Sequence, residues 1–226
     1  MSSTSLSGTA SLNGGSRGAD GGDGGYVYNY INGSVFESDF TYNIDGGSST
    51  DTGGDNGIFE ITMTGLCRNI DFTVNQNGGD ATTSASGVGG LAGGGSYLYV
   101  GYDYGGDMDG WTITLNAVGG DATAGVAGGN GGYVFIRGYG NILNTTITAD
   151  ASGGLAGGPG SAAAASGGGG GVLSVTSAYS NYGGISDNTV VNATMNGGAA
   201  ALGNAGSGGI VFVDQKGFGV GSYTVN

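Results

Sequence analysis

The sequence predicts an all-β fold, a parallel β-helix (β-solenoid) of about six irregular rungs with stacked glycine-rich segments. Three observations lead to this class. The chain has 57 glycines among 226 residues, and many of them stand in Gly-Gly-delimited stretches. A short strand pattern precedes each Gly-Gly pair, and a second strand block follows each stretch. A β-sandwich is the alternative, because short strands joined by glycine-rich turns also fit that architecture.

The strand before each glycine pair alternates apolar and polar residues, which predicts one buried face. Its copies are residues 40–43, 72–75, 113–116, 147–150, 191–194 and 223–226, with a weak copy near residues 9–13. If the apolar residues point inward, the others form two outward ladders. The first consists of Thr41, Thr73, Thr114, Thr148 and Thr224, and the second of Asn43, Asn75, Asn116 and Asn226, with Asp150 in the place of one asparagine.

A second strand block begins at Tyr26, Ile58, Tyr97, Tyr133, Val172 and Ile210. Most copies carry apolar side chains on both faces, as a strand buried on both sides does. One face is expected to point into the core. The glycine-rich stretches are the expected cover for the other face, because exposed aromatic rows are otherwise unusual.

The long glycine-rich stretches, residues 78–95, 119–132, 153–171 and 197–209, recur in register. Glycine and alanine allow close packing of backbones, so we expect extended or polyproline-II-like rods stacked on one another. Flexible loops are the alternative. Residues 1–25 then form a glycine-rich N-terminal segment, a partial rung or cap, and residues 26–226 carry the β-solenoid repeats.

With these Gly-Gly-delimited repeats and strands of the type Phe72-Thr73-Val74-Asn75, the chain resembles glycine-rich extracellular β-helix proteins, such as the passenger regions of bacterial adhesins. The resemblance implies an extracellular or cell-surface location and an adhesive or fibrous role. It carries no catalytic residue across. No leader is visible at the N-terminus.

Composition restricts the chemistry. The chain has 17 acidic and 4 basic residues, no histidine and one cysteine, Cys67, so a nucleic-acid partner, a disulfide and histidine catalysis are not expected. No apolar run is long enough for a membrane span. We expect no enzyme activity and no cofactor. A Ca²⁺ site is the alternative, because two sets of aspartates offer oxygen ligands, although both also fit ordinary turns. They are Asp20, Asp23, Asp51, Asp55, Asp80 and Asp121 beside glycine pairs, and the group Asp103, Asp107 and Asp109.

The function expected from the sequence is that of a structural subunit that assembles head to tail with copies of itself. The assembly strands are Tyr223, Thr224, Val225 and Asn226 at one end and Thr9, Ala10, Ser11, Leu12 and Asn13 at the other. An uncovered strand edge offers backbone groups that another chain can pair. The alternatives are an adhesin that binds surface glycans through tyrosines and an ice-binding protein that uses the threonine ladder.

Overall fold

The computed structural model describes residues 7–17, 20–82, 97–103, 107–123, 127–138, 140–157, 165–177, 184–185, 188–215 and 223–225. Within these ranges the chain forms β-strands and no helix. The strands in chain order are β1 (Ser7–Ser11), β2 (Ser16–Arg17), β3 (Asp20–Gly21), β4 (Tyr26–Asn32), β5 (Val35–Asn43), β6 (Ile58–Thr64), β7 (Cys67–Asn75), β8 (Tyr97–Asp103), β9 (Met108–Asp109), β10 (Thr112–Asn116), β11 (Tyr133–Gly138), β12 (Ile142–Leu143), β13 (Thr146–Asp150), β14 (Val172–Ser177), β15 (Thr189–Thr194), β16 (Ile210–Gln215) and β17 (Tyr223–Val225).

Two sheets contain nearly all of these strands. The first sheet has the order β1-β5-β7-β10-β13-β15-β17, with β9 and β12 paired beside β7, and the second has the order β16-β14-β11-β8-β6-β4. Every described pair in both sheets is parallel; β2 and β3 form a separate antiparallel ribbon. This parallel pairing excludes the β-sandwich alternative, whose sheets are antiparallel.

The chain alternates between the sheets, and each repeat adds one strand to both. We call the segment that follows a first-sheet strand the outgoing segment and the segment that precedes a second-sheet strand the return segment. The outgoing segments are residues 12–15, 44–49, 76–81, 117–122, 151–156 and 195–200, and the return segments are residues 20–25, 52–57, 127–132, 165–171 and 204–209. Residues 7–25 therefore contribute β1, one outgoing segment and one return segment.

The core lies between the two sheets, where inward-facing side chains form columns. In the first sheet, Phe40, Phe72, Ile113, Ile147 and Val191 occupy one column, and all are buried. In the second sheet, the corresponding column contains Val27, Phe59, Val134 and Leu173. The two sheets touch through aromatic rings: the centroids of Tyr42 and Phe59 are 4.6 Å apart, and those of Phe59 and Phe72 are 5.5 Å apart.

The outgoing and return segments pack directly on each other through their backbones. Within a repeat the return glycine donates its N–H to the outgoing glycine, as Gly54 does to the Gly47 carbonyl at 2.9 Å. The next outgoing glycine, Gly79, then donates to the Gly54 carbonyl, also at 2.9 Å. The same zigzag continues in the later repeats from Gly120 to Gly206.

Side chains are excluded from this interface by geometry. A Cβ at Gly120 would collide with the Gly79 carbonyl oxygen, and one at Gly119 with the Gly129 carbonyl oxygen. In the return segments the contacts recur every third residue: Gly128 faces Gly154, and Gly131 faces Ala151. Three residues per turn is the period of polyproline II, and the described glycine-rich segments are packed rather than loose.

The described glycine-rich segments leave the outward tyrosines of β4 and β11 exposed, so the expectation that they cover this face is wrong there. Tyr26, Tyr28 and Tyr30 of β4 are 59%, 55% and 54% exposed, and Tyr133 is 43% exposed. The physical reason is that the outgoing and return segments use each other as partners. Tyr97 of β8 lies in a described strand whose side-chain environment is outside the described residues.

The register also corrects one ladder position. Thr41, Thr73, Thr114 and Thr148 lie in one column, which Thr9 extends at the β1 end. Asn192 follows Thr148, whereas Thr224 pairs with Val190, two residues earlier. Thr224 therefore does not belong to this column. Asn226 lies outside the described residues.

Candidate binding surfaces

The asparagine ladder is a structural device. Asn75 donates its side-chain amide to Asn43 Oδ1 at 2.7 Å, and Asn116 donates to Asn75 Oδ1 at 2.8 Å. Asn43 donates in turn to Ser11 Oγ at 3.3 Å. These amides hydrogen-bond along the stack, as asparagines do when identical strands lie in register. The ladder stabilises neighbouring repeats and leaves fewer of its polar atoms for a ligand.

The threonine column forms the middle of the outward face of the first sheet. Its side chains at positions 41, 73 and 114 are half-buried, and Thr148 is exposed. Adjacent strands in a sheet are about 4.8 Å apart, so the hydroxyl and methyl groups repeat at that interval. Asp39 and Asp71 are exposed in the neighbouring column, where Thr112 and Thr146 replace them in later repeats. The face is therefore regular, with carboxylates at one end.

A second ladder, which the strand motifs do not reveal, lies on the outer surface of the outgoing segments. Every third residue is Asp, Asn or Ser in many repeats, and its side-chain oxygen accepts a backbone N–H from the following repeat. Asp45 accepts from Asn77 at 2.7 Å, Asp80 from Asp121 at 2.8 Å, and Asp121 from Leu155 at 2.7 Å. These N–H groups point away from the packed glycine interface. The recurrence of Asx or Ser beside Gly-Gly was the available signal.

Several of the Ca²⁺ candidate aspartates accept hydrogen bonds within the protein. Asp23 accepts the N–H of Asp55 at 2.9 Å between two adjacent return segments; the stacked return segments together are called the return layer below. Asp107 accepts both the N–H and the amide of Asn141, while Asp109 accepts the amide of Asn144 and lies 3.6 Å from the Arg68 guanidinium. Within the described part of the chain, no three acidic or cysteine side chains come together as a metal-binding group. The side chain of Asp103 is outside the described residues.

Three described groups have raised pKa values: Tyr42 and Cys67, which are buried, and Asp55, which is partly buried; for Tyr42 burial is the cause. Burial raises the pKa of the Cys67 thiol, which keeps it protonated and unreactive as a nucleophile. Cys67 is fully buried in the core, where Trp111 Nε1 donates to its carbonyl oxygen at 3.2 Å. In the return layer, burial and the neighbouring charge of Asp23 raise the pKa of Asp55. Among the described residues, none of the three forms a catalytic arrangement with another titratable side chain.

Among the described strands, each end of the stack has a strand that pairs on one side in each sheet. Strands β1 and β4 are at one end, and β17 and β16 are at the other. Strand β17 covers only Thr189–Val191 of β15. In β16, Ile210, Val211 and Phe212 are 52%, 36% and 55% exposed. Val211 lies in the same inward-facing column as Leu173, which is fully buried. At this end of the stack, a core side chain is therefore only partly covered.

The outer face of the second sheet carries exposed tyrosines and a cleft beside Tyr133. Tyr26, Tyr28 and Tyr30 form one row along β4. The cleft lies between Tyr133, Asn130 and Ser207, where the return segment meets the sheet. Among the residues the structure describes, no helix has the length and apolar character needed to cross a membrane. No protein-family model, curated protein or solved structure matches this chain.

Proposed function

We propose that the two sheets and the glycine-rich layers are the sides of one β-solenoid, and that the chain is a non-enzymatic, extracellular structural subunit that assembles end to end. The solenoid is supported by the strict alternation of the chain between two parallel sheets. Ring contacts between the sheets, such as Tyr42 with Phe59, and the glycine zigzag support the same arrangement. Each repeat then contacts mainly its neighbours, as in other solenoids.

The observation that carries the assembly proposal is the apolar edge of the second sheet. Among the described strands, β16 pairs only with β14, and its inward residue Val211 is 36% exposed. A long apolar edge strand recruits another strand unless it is blunted by charge, proline or a bulge. Strand β4 is the opposite edge of the same sheet and runs parallel to it. A second copy can therefore extend the sheet by placing its β4 beside β16.

The first sheet offers a different joint. The pairing of Tyr223–Asn226 with Thr9–Asn13 of a second copy remains a prediction. At this end the first sheet extends one strand beyond the second within the described residues. The two joints are therefore alternatives, because a copy that adds β4 to β16 brings its own β1 to the level of β17.

Electron microscopy and sedimentation of the purified chain test the proposal. We expect filaments for the wild type and monomers for Val211→Lys, because an inward charge blunts the β16 edge. Ile210→Lys is the matched control: it adds the same charge to the outward side of the strand, where the side chain is 52% exposed, and should still polymerise. Deletion of residues 222–226 separates the joints, since it stops assembly only if β17 forms the contact. A wild type that stays monomeric at high concentration contradicts the proposal.

A second candidate function is binding to ice, and the single-register threonine column favours it. Five threonines, at positions 9, 41, 73, 114 and 148, align across five adjacent strands. A flat array of hydroxyl and methyl groups suits an ordered water lattice. Thr73→Tyr or Thr114→Tyr should then abolish thermal hysteresis, because the bulky ring disturbs the flat face. If the wild type does not shape ice, this candidate is wrong.

A further inference from the structure

A cleft of about 260 Å³ opens on the outer surface between the return layer and the second sheet. It is lined by Tyr133, Asn130, Ser207 and Val172 and by the glycines at positions 131 and 169–171. Tyr133 is 43% exposed, and Asn130 and Ser207 are also exposed. The cleft combines one aromatic face with hydrogen-bonding groups and has no charged residue in its lining.

The cleft exists because one position of a polar column is glycine. In the return layer the outward residues of the described repeats are Asp23, Asp55, Asn130, Gly169 and Ser207. Asp23 Oδ1 accepts the N–H of Asp55 at 2.9 Å, and Asn130 Oδ1 accepts the N–H of Gly169 at 2.7 Å. Gly169 has no side chain to accept from Ser207 in the same manner. Within the described chain the Ser207 N–H has no acceptor, and Ser207 lines the cleft.

We propose that this cleft binds one ring of a neutral glycan. The apolar face of a sugar ring stacks on Tyr133, because tyrosine offers a flat apolar surface beside polar groups. The Ser207 N–H donates to a sugar hydroxyl, and the Asn130 amide and the Ser207 hydroxyl supply further hydrogen bonds. This site goes beyond the proposed assembly and does not depend on it.

Size and charge define the ligand class. A water molecule occupies about 30 Å³ in the liquid, so the cleft holds roughly nine water volumes, enough for a single sugar ring. Pockets for larger ligands begin at about 300 Å³. The formal net charge of −13 repels sulfated, uronic and sialic acid sugars. The fitting ligand is therefore an uncharged hexose at the end of, or within, a longer glycan.

The test is an amide NMR titration of the chain with neutral methyl glycosides of glucose, galactose and mannose. We expect a saturable shift of the Ser207 amide with at least one of them, and its loss in Tyr133→Ala. The decisive variant is Gly169→Asn. A Cβ at Gly169 has only ordinary contacts, at 3.4 Å from Asn130 Oδ1 and Ser207 Oγ, so the new side chain fits, fills the cleft and can accept from Ser207.

Gly169→Asn should therefore lose the shift while its Tm stays the same or rises, which separates binding from folding. Tyr26→Ala is the matched control, since Tyr26 is an exposed tyrosine at the equivalent position of β4 and should leave the titration unchanged. The proposal is overturned if no neutral glycoside gives a saturable shift, if Gly169→Asn binds like the wild type, or if Tyr26→Ala removes binding equally. Binding of only an acidic sugar also overturns it. If Tyr133→Ala does not fold, Gly169→Asn alone decides.

Discussion

The Asp80 carboxylate accepts the backbone N–H of Asp121 at 2.8 Å, across 41 residues of sequence. Asp121 repeats the arrangement with Leu155. An extended glycine-rich segment at the surface has outward N–H groups that its packed neighbours cannot reach. A short polar side chain at every third position satisfies them from within the protein. Many acidic residues of this chain are thus part of the framework of the fold.

This role predicts a difference between two substitutions at Asp80. Asp80→Ala removes the acceptor for Asp121, whereas Asp80→Asn keeps an oxygen in place. Both remove the same negative charge, so their comparison isolates the hydrogen bond. We expect Asp80→Ala to be less stable than Asp80→Asn by about 1 kcal/mol in urea unfolding. Equal midpoints for the two variants would show that the hydrogen bond does not contribute.

The hydrogen-bonded glycine contacts between outgoing and return segments predict that the loss of stability from a Gly→Ala substitution depends strongly on its position. Gly120→Ala places a Cβ against the Gly79 carbonyl oxygen, where backbone cannot yield without separating the repeats. We expect a loss of about 1–3 kcal/mol or more, as for other overpacked sites. Gly169→Ala is the control, because its nearest neighbours are 3.4 Å away. Thermal unfolding of the two variants measures the contrast, and similar Tm values would contradict the packing described.

The core columns predict a graded response at Ile136, which is 1% exposed and pairs with Val175 in the next strand. Ile136→Asp should abolish cooperative unfolding, because it buries an unpaired carboxylate. Ile136→Val should fold and cost about 0.5–1.5 kcal/mol. Thr148→Asp, at an exposed first-sheet position, should remain soluble and folded. Circular dichroism melts check all three, and a wild-type melt for Ile136→Asp would refute the register.

The raised pKa of Asp55 predicts that the substitution Asp55→Asn stabilises the protein in a pH-dependent way. Burial and the charge of Asp23 raise its pKa, so the folded protein disfavours its ionised form. This destabilisation is fully present above the raised pKa and disappears as the pH falls below the ordinary Asp value of about 4. Asp55→Asn should therefore raise Tm near neutral pH.

Below about pH 3 the same substitution should have little effect, because the wild-type carboxyl is then protonated in both folded and unfolded states. Asp23→Asn removes only the neighbouring charge and should give a smaller gain at neutral pH. Calorimetry at the two pH values measures the difference. A gain from Asp55→Asn that persists unchanged in acid would mean that its ionisation is not the cause.

The spacing of short motifs predicts the two recurring strands of each repeat, their parallel pairing and most columns, but not the short strands β2, β3, β9 and β12. The position of Thr224 was not predictable in this way, because a shift of two residues keeps every side chain on the same face of a strand. The exposure of Tyr26 was not predictable either, because the sequence does not show which surface a glycine-rich segment packs against. The outgoing and return segments form backbone hydrogen bonds with each other, and in the sequence only their three-residue period indicates this pairing. The cleft at Gly169 depends on one missing side chain among five consecutive glycines.

The glycine pairs also determine where the chain can change its length. In every described repeat the second glycine of the outgoing pair stands four residues after the last residue of the aligned first-sheet strand, as Gly47 follows Asn43 and Gly198 follows Thr194. The return glycine stands four residues before the second-sheet strand, as Gly54 precedes Ile58. The stretch between the two glycines, by contrast, differs between repeats. We expect insertions in the described stretches 48–53 and 199–205 to leave the framework intact, so these are the natural places to graft foreign peptides, whereas one extra residue beside a strand rotates the whole segment out of register.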